Sequence, residues 1–344
     1  MKCLAITGNG LPIYFFKQSL NLLGRMTIDM APTSKLKRCL AQYRLFQRLF
    51  RLFPRSAAFI GGSMLVVSYQ KQLWMVSIEQ GKLLKKIPVR KGFSDVLTFC
   101  QMEDKVYYGD YGMNEKREAI HVYCLDETLV PLIVYTFPAG SIRHVHNIIY
   151  DQWRERFFIF TGDEGDNVGI YTANLDFSKV EPFLIGSQQY RAVVGHVTET
   201  SLLYATDAVM EENFLYQVNL SEAPQPEKLS PLNGSVVYGC ELDDGFVFST
   251  TVEPYPSKKS KLLTMLDNRR GKGIKSKSVE VYHVTDTCKV SLKRKFQKDI
   301  WPMRLFQYGC VQFPVLRKRN VKRLVMNPIS VKKADGEVSS IYLF

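Results

Sequence analysis

After Pro54 the chain alternates short runs of Val, Ile, Tyr and Phe with polar or glycine-containing turns. Runs of this length, bounded by turn residues, are typical of β-strands. They group into six units of four strands each, at a spacing of about 40 to 45 residues, which is the repeat of a β-propeller. The pattern therefore predicts an all-β fold, a six-bladed β-propeller over residues 56–344. A pair of β-sandwiches is the weaker alternative, because it does not require regular spacing.

A different pattern precedes the repeat. Residues 34–55 carry apolar side chains at helical spacing and place Arg44, Arg48 and Arg51 on the opposite face, which predicts one amphipathic basic helix. Residues 1–33 show no convincing pattern and are treated as an N-terminal extension. In one interpretation the Leu/Phe stripe packs on the domain behind it and the arginines are solvated. In the other, the helix lies in an anionic membrane surface.

The amino-acid composition indicates a globular protein and favours acidic partners. The 344 residues are 46% hydrophobic and 12% aromatic, which is typical of a globular chain rather than a disordered one. Lys and Arg outnumber Asp and Glu by 46 to 33, and a net charge of +13 favours acidic partners such as anionic glycans, anionic lipid headgroups or nucleic acid. Seven scattered cysteines without a metal-type spacing are expected to be free, buried thiols. With no signal peptide or membrane span recognised, we expect a cytoplasmic protein, either soluble or peripheral to the inner face of the membrane.

Two turns between third and fourth strands resemble a known repeat. SIEQGK (77–82) and NLDFSK (174–179) are similar to Asp-box turns, whose pattern is Ser-x-Asp-x-Gly-x-x-aromatic, although Ser178 replaces the glycine and the closing Trp is missing. The stretch HVHNIIYD…IFTGDEGDN…GIY also resembles Asp-box (BNR) repeat proteins known as glycosyl-hydrolase-like in bacterial surface-polysaccharide gene clusters. The resemblance covers roughly residues 52–344 and implies a sialidase-like six-bladed β-propeller, without a cofactor.

The blade geometry selects candidate site residues. In a four-stranded blade, the start of the first strand and the loop after the second strand open on one face, whereas turns such as that of Asp176 lie on the other face and are structural. Side chains at the start of a first strand, or in the loop after a second strand, would therefore meet at one opening of the propeller's central channel. The candidates at these positions are the carboxylates Asp110 and Asp163 and the cationic or titratable residues Arg143, Arg191, Arg304, His144 and His146.

These residue types suit an acidic ligand. Guanidinium groups bind carboxylates, sulfates and phosphates through two parallel hydrogen bonds. Sialidases hold their acidic sugar with three arginines, so the resemblance implies that role for Arg143, Arg191 and Arg304. Asp163 or Asp110 would be the acid if a glycosidic bond is cleaved. A retaining sialidase also needs a Tyr nucleophile with a Glu partner, which the sequence does not place on this face, so it leaves open whether the protein is an enzyme.

The sequence does not predict a metal site. His144 and His146 alternate along a strand and are expected to point to opposite sides of it, where they could not share an ion. A pair formed by His146 and His196 of the next blade is more typical of core hydrogen bonding than of zinc binding. Motifs for acyl transfer and for nucleotide chemistry are also missing.

Two classes of function follow. The first is a sialidase-like propeller that binds or acts on an anionic glycan or polysaccharide, as in surface-polysaccharide metabolism. The alternative is a non-catalytic interaction scaffold at the cytoplasmic membrane surface, with peripheral membrane contact through residues 34–53. Basic segments at 258–277 and 317–323 suit a polyanion or a lipid headgroup, or form solvated loops. They contain few aromatic residues, so nucleic acid is not expected as a partner.

Overall fold

The computed structural model describes most of the chain. The described residues are 3–6, 12–16, 22–27, 35–40, 43–52, 54–78, 80, 82–221, 223–256, 261–316 and 319–343. Predictions for most of the N-terminal extension and for positions 34, 53, 258–260 and 317–318 lie outside them. No helix within the described residues is long and apolar enough to cross a bilayer.

Helices and strands follow one another in the order that the repeat predicts. Before the repeat lie β1 (Cys3–Ile6), β2 (Pro12–Phe16), β3 (Leu22–Thr27), α1 (Lys35–Leu40) and α2 (Arg44–Leu49). Blades one and two are β4 (Ser56–Ile60), β5 (Met64–Tyr69), β6 (Gln72–Ser77), β7 (Lys82–Pro88), β8 (Cys100–Met102), β9 (Lys105–Gly109), β10 (Ile120–Leu125) and β11 (Leu132–Phe137). Blades three and four are β12 (His144–Asp151), β13 (Arg156–Gly162), β14 (Gly169–Asn174), β15 (Val180–Ile185), β16 (Ala192–Val197), β17 (Ser201–Thr206), β18 (Phe214–Asn219) and β19 (Pro226–Pro231), with a 3-10 turn at Gln188–Tyr190.

The remaining elements form blades five and six and their insertions. They are β20 (Val236–Leu242), β21 (Gly245–Thr250), α3 (Lys261–Leu266), β22 (Ser278–Thr285), β23 (Val290–Gln297), α4 (Met303–Phe306), β24 (Cys310–Gln312), β25 (Val315–Leu316), β26 (Arg323–Ile329) and β27 (Ser339–Tyr342). Blades one to five are four-stranded sheets in which each strand pairs antiparallel with its neighbours in sequence. The chain is thus an all-β six-bladed β-propeller, which confirms the predicted fold.

Blade six differs from the prediction. Its sheet has three strands in the order β24, β26, β27, and the run RLF, predicted to begin the first strand, lies in α4 instead. Pro302 fits this helical start, because proline is tolerated where a helix begins. Pro314 follows β24 and has no N–H to donate, and the next residues, β25, pair with β1. The placement of Arg304 at the start of a strand was therefore wrong.

Contacts divide the chain into two compact units. The blade-three unit consists of Pro54–Thr206 and Tyr216–Lys228, and the blade-six unit of Met1–Phe53, Asp207–Leu215 and Leu229–Phe344. Each has its own apolar core.

Aromatic packing and one glycine fix the sheets of the blade-three unit. The rings of Tyr107, Phe157 and Phe177 pack together with centroids 4.8 to 5.6 Å apart, and the Phe177 ring stacks on the other two. Gly109, at the end of β9, faces Val145 of β12 so closely that a Cβ there would lie 2.4 Å from the Val145 Cβ. Only glycine permits this approach, which brings the end of β9 against the start of β12, where the candidate residues cluster.

The helical arm packs in a way that neither interpretation predicted. The one predicted helix is two short helices, α1 and α2. Arg48 is only 3% exposed, and its Nη1 lies 2.6 Å from Asp299 Oδ2. Arg44 forms a two-pronged ion pair with Asp335, through Nε at 3.1 Å and Nη2 at 2.9 Å. The expectation of a solvated arginine face was wrong for Arg44 and Arg48, which carboxylates from distant segments cover, whereas Arg51 is exposed.

The described residues also test the predictions for the Asp176 turn and for the cysteines. The Asp176 turn is a local structure, since Asp176 Oδ1 accepts hydrogen bonds from the Ser178 N–H and hydroxyl at 3.0 and 2.7 Å. Six cysteines are free thiols, of which Cys100, Cys124 and Cys310 are buried as predicted, Cys240 and Cys288 are half-buried and Cys39 is exposed.

Candidate functional site

The predicted site residues of blade three meet at one end of its sheet. His144 begins β12 and pairs in register with Gly162, the last residue of β13, and Asp163 follows directly. The side chain of His146 lies over Gly162, where a Cβ would come 2.1 Å from the imidazole Nε2. Glycine at this position therefore leaves the space that the imidazole ring occupies.

Three side chains converge on one carboxylate oxygen. Asp163 Oδ1 lies 3.5 Å from His144 Nε2, 3.3 Å from His146 Nε2 and 3.0 Å from Arg191 Nη2. Both histidines are 2% exposed. We call the group of His144, His146, Asp163 and Arg191 the Asp163 cluster.

The expectation that His144 and His146 face opposite sides was wrong. Their ring centroids are 4.9 Å apart, and both rings pack on that of Tyr111. Residues two apart in a strand project from the same face, so the spacing itself should have predicted their proximity. The β12–β13 pairing also shifts register between Val145 and Asn147, which leaves His146 at a bulge.

Backbone carbonyls fix which ring nitrogen carries the proton. His144 Nδ1 lies 2.5 Å from Gly112 O, and His146 Nδ1 lies 2.9 Å from Ala192 O. A carbonyl oxygen can only accept, so each Nδ1 is the donor. In the neutral imidazoles, each Nε2 therefore turns a lone pair toward Asp163.

Burial and charge act in opposite directions in the Asp163 cluster. Burial lowers the pKa of His146 to about 4, against the hydrogen bond and charge of Asp163, so this imidazole is neutral at pH 7. Burial alone would raise the pKa of Asp163. The two histidines and the charge of Arg191 together outweigh burial and hold the pKa of Asp163 well below its usual range.

The three candidate arginines are all engaged. Arg143 directly precedes β12, and its Nη2 lies 3.5 Å from Glu164 Oε2. Arg191 precedes β16 and opposes Asp163. Arg304 belongs to the blade-six unit, where its Nη2 donates to the carbonyl of Tyr255 at 2.8 Å.

The other candidate acid, Asp110, is tied to its own blade. It is 5% exposed and accepts hydrogen bonds from Arg90 at 2.7 Å, from the His121 N–H at 3.0 Å and from the Tyr123 hydroxyl at 3.3 Å. The buried carboxylate thereby holds together the end of β9 and the start of β10. These contacts fit a structural role better than that of a proton donor.

A Tyr/Glu pair that the sequence did not reveal lies on β22. The Tyr282 hydroxyl donates to Glu280 Oε2 at 2.6 Å, and Lys295 Nζ lies 2.8 Å from Glu280 Oε1. Burial, the hydrogen bond and the Glu280 charge raise the pKa of Tyr282, whereas an activated nucleophile needs a lowered pKa. The pair is therefore unlike a sialidase nucleophile.

The blade-six unit presents a second surface, in which the predicted basic segment 258–277 also carries exposed leucines that the sequence analysis did not single out. Leu262, Leu263 and Leu266 of α3 are 68%, 58% and 52% exposed, and Ile300 is 75% exposed. Asn268 Nδ2 donates to Ile300 O at 3.2 Å, which ties the two segments together. The leucine–lysine surface, as we name it, consists of Leu262, Leu263, Leu266, Ile300, Trp301, Arg270, Lys272 and Lys277. The signal was the run KLLTML in an insertion without a strand partner.

The basic part of this surface is anchored and concave. Gly271 and Gly273 pack so tightly on the backbone of Val209 and Glu211 that a Cβ would lie 2.2 and 1.8 Å from their carbonyl oxygens. The segment 268–277 lines a cleft of about 560 Å³. Within the described residues, the side chains of Arg270, Lys272 and Lys277 form no ion pair. Their charges are therefore available to an anionic partner.

Comparisons with known proteins support the fold alone. No family model matches the chain, and no curated protein matches it. A chain of the mitotic checkpoint complex is similar with a TM-score of 0.54 and 8% identity, over 100% of this chain and 87% of that one. A chain of the nidogen/laminin complex has a TM-score of 0.51 and 9% identity, over 89% and 95%. Neither of these two structures is described as a sialidase.

Proposed function

We propose that the protein is a non-catalytic propeller scaffold that docks on an anionic membrane surface through the leucine–lysine surface. The observation that carries the proposal is the exposure of three leucines on a single short helix, at 68%, 58% and 52%. Contiguous exposed apolar side chains are typical of interaction sites rather than of inert surface. Trp301, 42% exposed, adds an aromatic ring of the kind found at membrane interfaces.

Charge complementarity points to an anionic bilayer as the occupant. Arg270, Lys272 and Lys277 flank the leucines, and each basic group near an anionic surface contributes about 1 kcal/mol of attraction. The net charge of +13 acts in the same direction. The cleft of about 560 Å³ is large enough for a lipid headgroup. The predicted anchor at residues 34–53 is less suited, because Arg44 and Arg48 are neutralised by carboxylates.

Co-sedimentation of the full chain with vesicles tests the proposal. We expect binding to phosphatidylcholine vesicles that contain phosphatidylserine, and much weaker binding to phosphatidylcholine alone. Changing Leu262→Ser together with Leu263→Ser should weaken binding by about tenfold or more, since each leucine buried in lipid contributes on the order of 1 kcal/mol.

A matched control lies on another surface. Leu132 and Ile133 on β11 are 57% and 56% exposed, close to the exposure of the α3 leucines. Replacing both by serine should leave vesicle binding unchanged. Equal loss in the two double variants, or binding that does not depend on phosphatidylserine, would contradict the proposal.

A second candidate, binding of an anionic glycan, is favoured by the surroundings of Arg143. Its buried Nε lacks a hydrogen-bond partner in the described structure, and the opposing Glu164 side chain is 72% exposed. The carboxylate of an acidic sugar could replace Glu164 there. Glycan-array binding that is lost in Arg143→Ala and kept in the control Arg294→Ala, which changes an exposed arginine of β23, would support this function. Array binding equal in both variants and the wild type would exclude Arg143 as the anchor.

A further inference from the structure

We propose that His144, His146 and Asp163 bind a divalent transition-metal ion, with zinc as the reference ion. The ligand atoms of the three side chains lie within 4.8 Å of one another. Two imidazoles and a carboxylate are a common ligand set for such ions. This site is independent of the leucine–lysine surface.

The hydrogen bonds at Nδ1 prepare both histidines as ligands. Metal-binding histidines typically donate their other ring N–H to a carbonyl or carboxylate, which orients the ring and directs the lone pair at the ion. His144 makes this bond to Gly112 O and His146 makes it to Ala192 O. The 2%-exposed His144 Nε2 has no hydrogen-bond partner among the described residues, and it points at the Asp163 carboxylate.

The facing atoms have the arrangement of ligands around a cation. With Nδ1 as the donor, an imidazole in its neutral form presents a lone pair to Asp163 Oδ1 at 3.3 or 3.5 Å, and an ion between the two atoms would turn this repulsive contact into two metal–ligand bonds. Ligand atoms about 2.1 Å from one ion lie roughly 3.0 to 3.4 Å apart at octahedral or tetrahedral angles. The histidine-to-carboxylate distances of 3.3 and 3.5 Å are close to that spacing, and all three ligand atoms lie within 4.8 Å of one another, so an ion would draw the side chains closer together.

Arg191 is compatible with an ion at this position. Carboxylates that bind metals are themselves usually hydrogen-bonded, and Arg191 also contacts the Asp163 backbone oxygen and Gln188 Oε1, both at 3.4 Å. It is thus a positioning residue for Asp163. The Asp163 side chain is 25% exposed, which gives the ion a path from solvent. Three protein ligands leave at least one coordination position for water or for an oxygen atom of a bound ligand.

Cobalt substitution in the full chain tests the site. After chelator treatment and dialysis, Co²⁺ should produce a visible d–d absorption band that saturates near one ion per chain and that Zn²⁺ abolishes. Asp163→Asn and His146→Gln should each weaken Co²⁺ binding by more than about tenfold, whereas His121→Gln, away from the site, should leave it unchanged.

A folding control keeps the test decisive. Zn²⁺ should raise the thermal midpoint of the wild type and of His121→Gln, but not of Asp163→Asn. If the buried His146→Gln variant does not fold, the partly exposed Asp163→Asn variant alone decides the result. A wild type without a cobalt band, or a band of equal affinity in folded Asp163→Asn, would overturn the proposal and leave a hydrogen-bonded His–Asp cluster.

Discussion

Two arginine- and lysine-rich segments of the blade-six unit have opposite environments. In α2, Arg48 is 3% exposed and contacts Asp299 and Asp335. Along 269–277, Lys272 and Lys277 are exposed and have no ion-pair partner among the described residues. Both segments place basic residues beside leucines, and both suit a membrane surface by composition.

The two segments differ in the carboxylates that distant parts of the chain place beside them. Asp299 and Asp335 follow Arg48 by more than 250 positions, 251 and 287 respectively, and they neutralise its charge. Beside the second segment, Asp267 pairs with Arg269 and Glu212 pairs with Lys275, but no carboxylate pairs with Lys272 or Lys277 among the described residues. A basic side chain therefore keeps its charge for a partner only where the fold brings no carboxylate to it.

The largest expected effect tests the buried arginine. Arg48→Met should lower the free energy of unfolding by about 3 kcal/mol, because the change removes one cationic partner from the partly buried Asp299 and Asp335 and removes the donor to Phe306 O. Urea denaturation measures the loss. In the control Arg51→Met, the exposed side chain has a backbone acceptor, Arg304 O at 3.1 Å, and the expected loss is within about 0.5 kcal/mol. Similar losses in the two variants would show that α2 is not held by its charges.

A smaller effect is expected from the neighbouring pair. A double-mutant cycle of Arg44→Ala and Asp335→Ala should give a coupling of about 1 kcal/mol, since the pair is two-pronged and partly buried. The comparison pair is Lys179 and Glu181, 2.9 Å apart with side chains 68% and 55% exposed. Its coupling should be close to zero. A larger coupling for Lys179 and Glu181 than for Arg44 and Asp335 would contradict the argument that carboxylates neutralise the arginines of α2.

Local patterns were sufficient to predict the sheets of blades one to five. Strand alternation and turn residues are encoded within a few positions, so the runs around Val66 or Val247 could be placed on buried strands. Blade six was mispredicted where two prolines redirect the chain. The apolar run RLF alone does not show that Pro302 turns it into a helix.

Position within the blade was sufficient to predict which residues form the candidate site, but not which atoms they contact. The rule that ligands gather after second strands and before first strands found Asp163, Arg191 and His144. It could not reveal that Gly112 and Ala192 supply the carbonyls that fix the histidine protons. Those partners come from neighbouring segments, and no spacing in the sequence encodes them. The proximity of His144 and His146 was predictable, and it was missed through a wrong assignment of strand faces.

The smallest stability effect is expected on the leucine–lysine surface, and it completes the comparison with α2. Lys272→Gln together with Lys277→Gln should change the free energy of unfolding by less than about 0.5 kcal/mol, because neither side chain has a charged partner to lose. The same double variant should bind phosphatidylserine vesicles at least about tenfold more weakly, and raising the salt concentration should weaken the wild type in the same direction. Arg48→Met, where it stays folded, should bind these vesicles as the wild type does. A double variant that unfolds readily but binds normally would assign Lys272 and Lys277 the structural role argued here for Arg48.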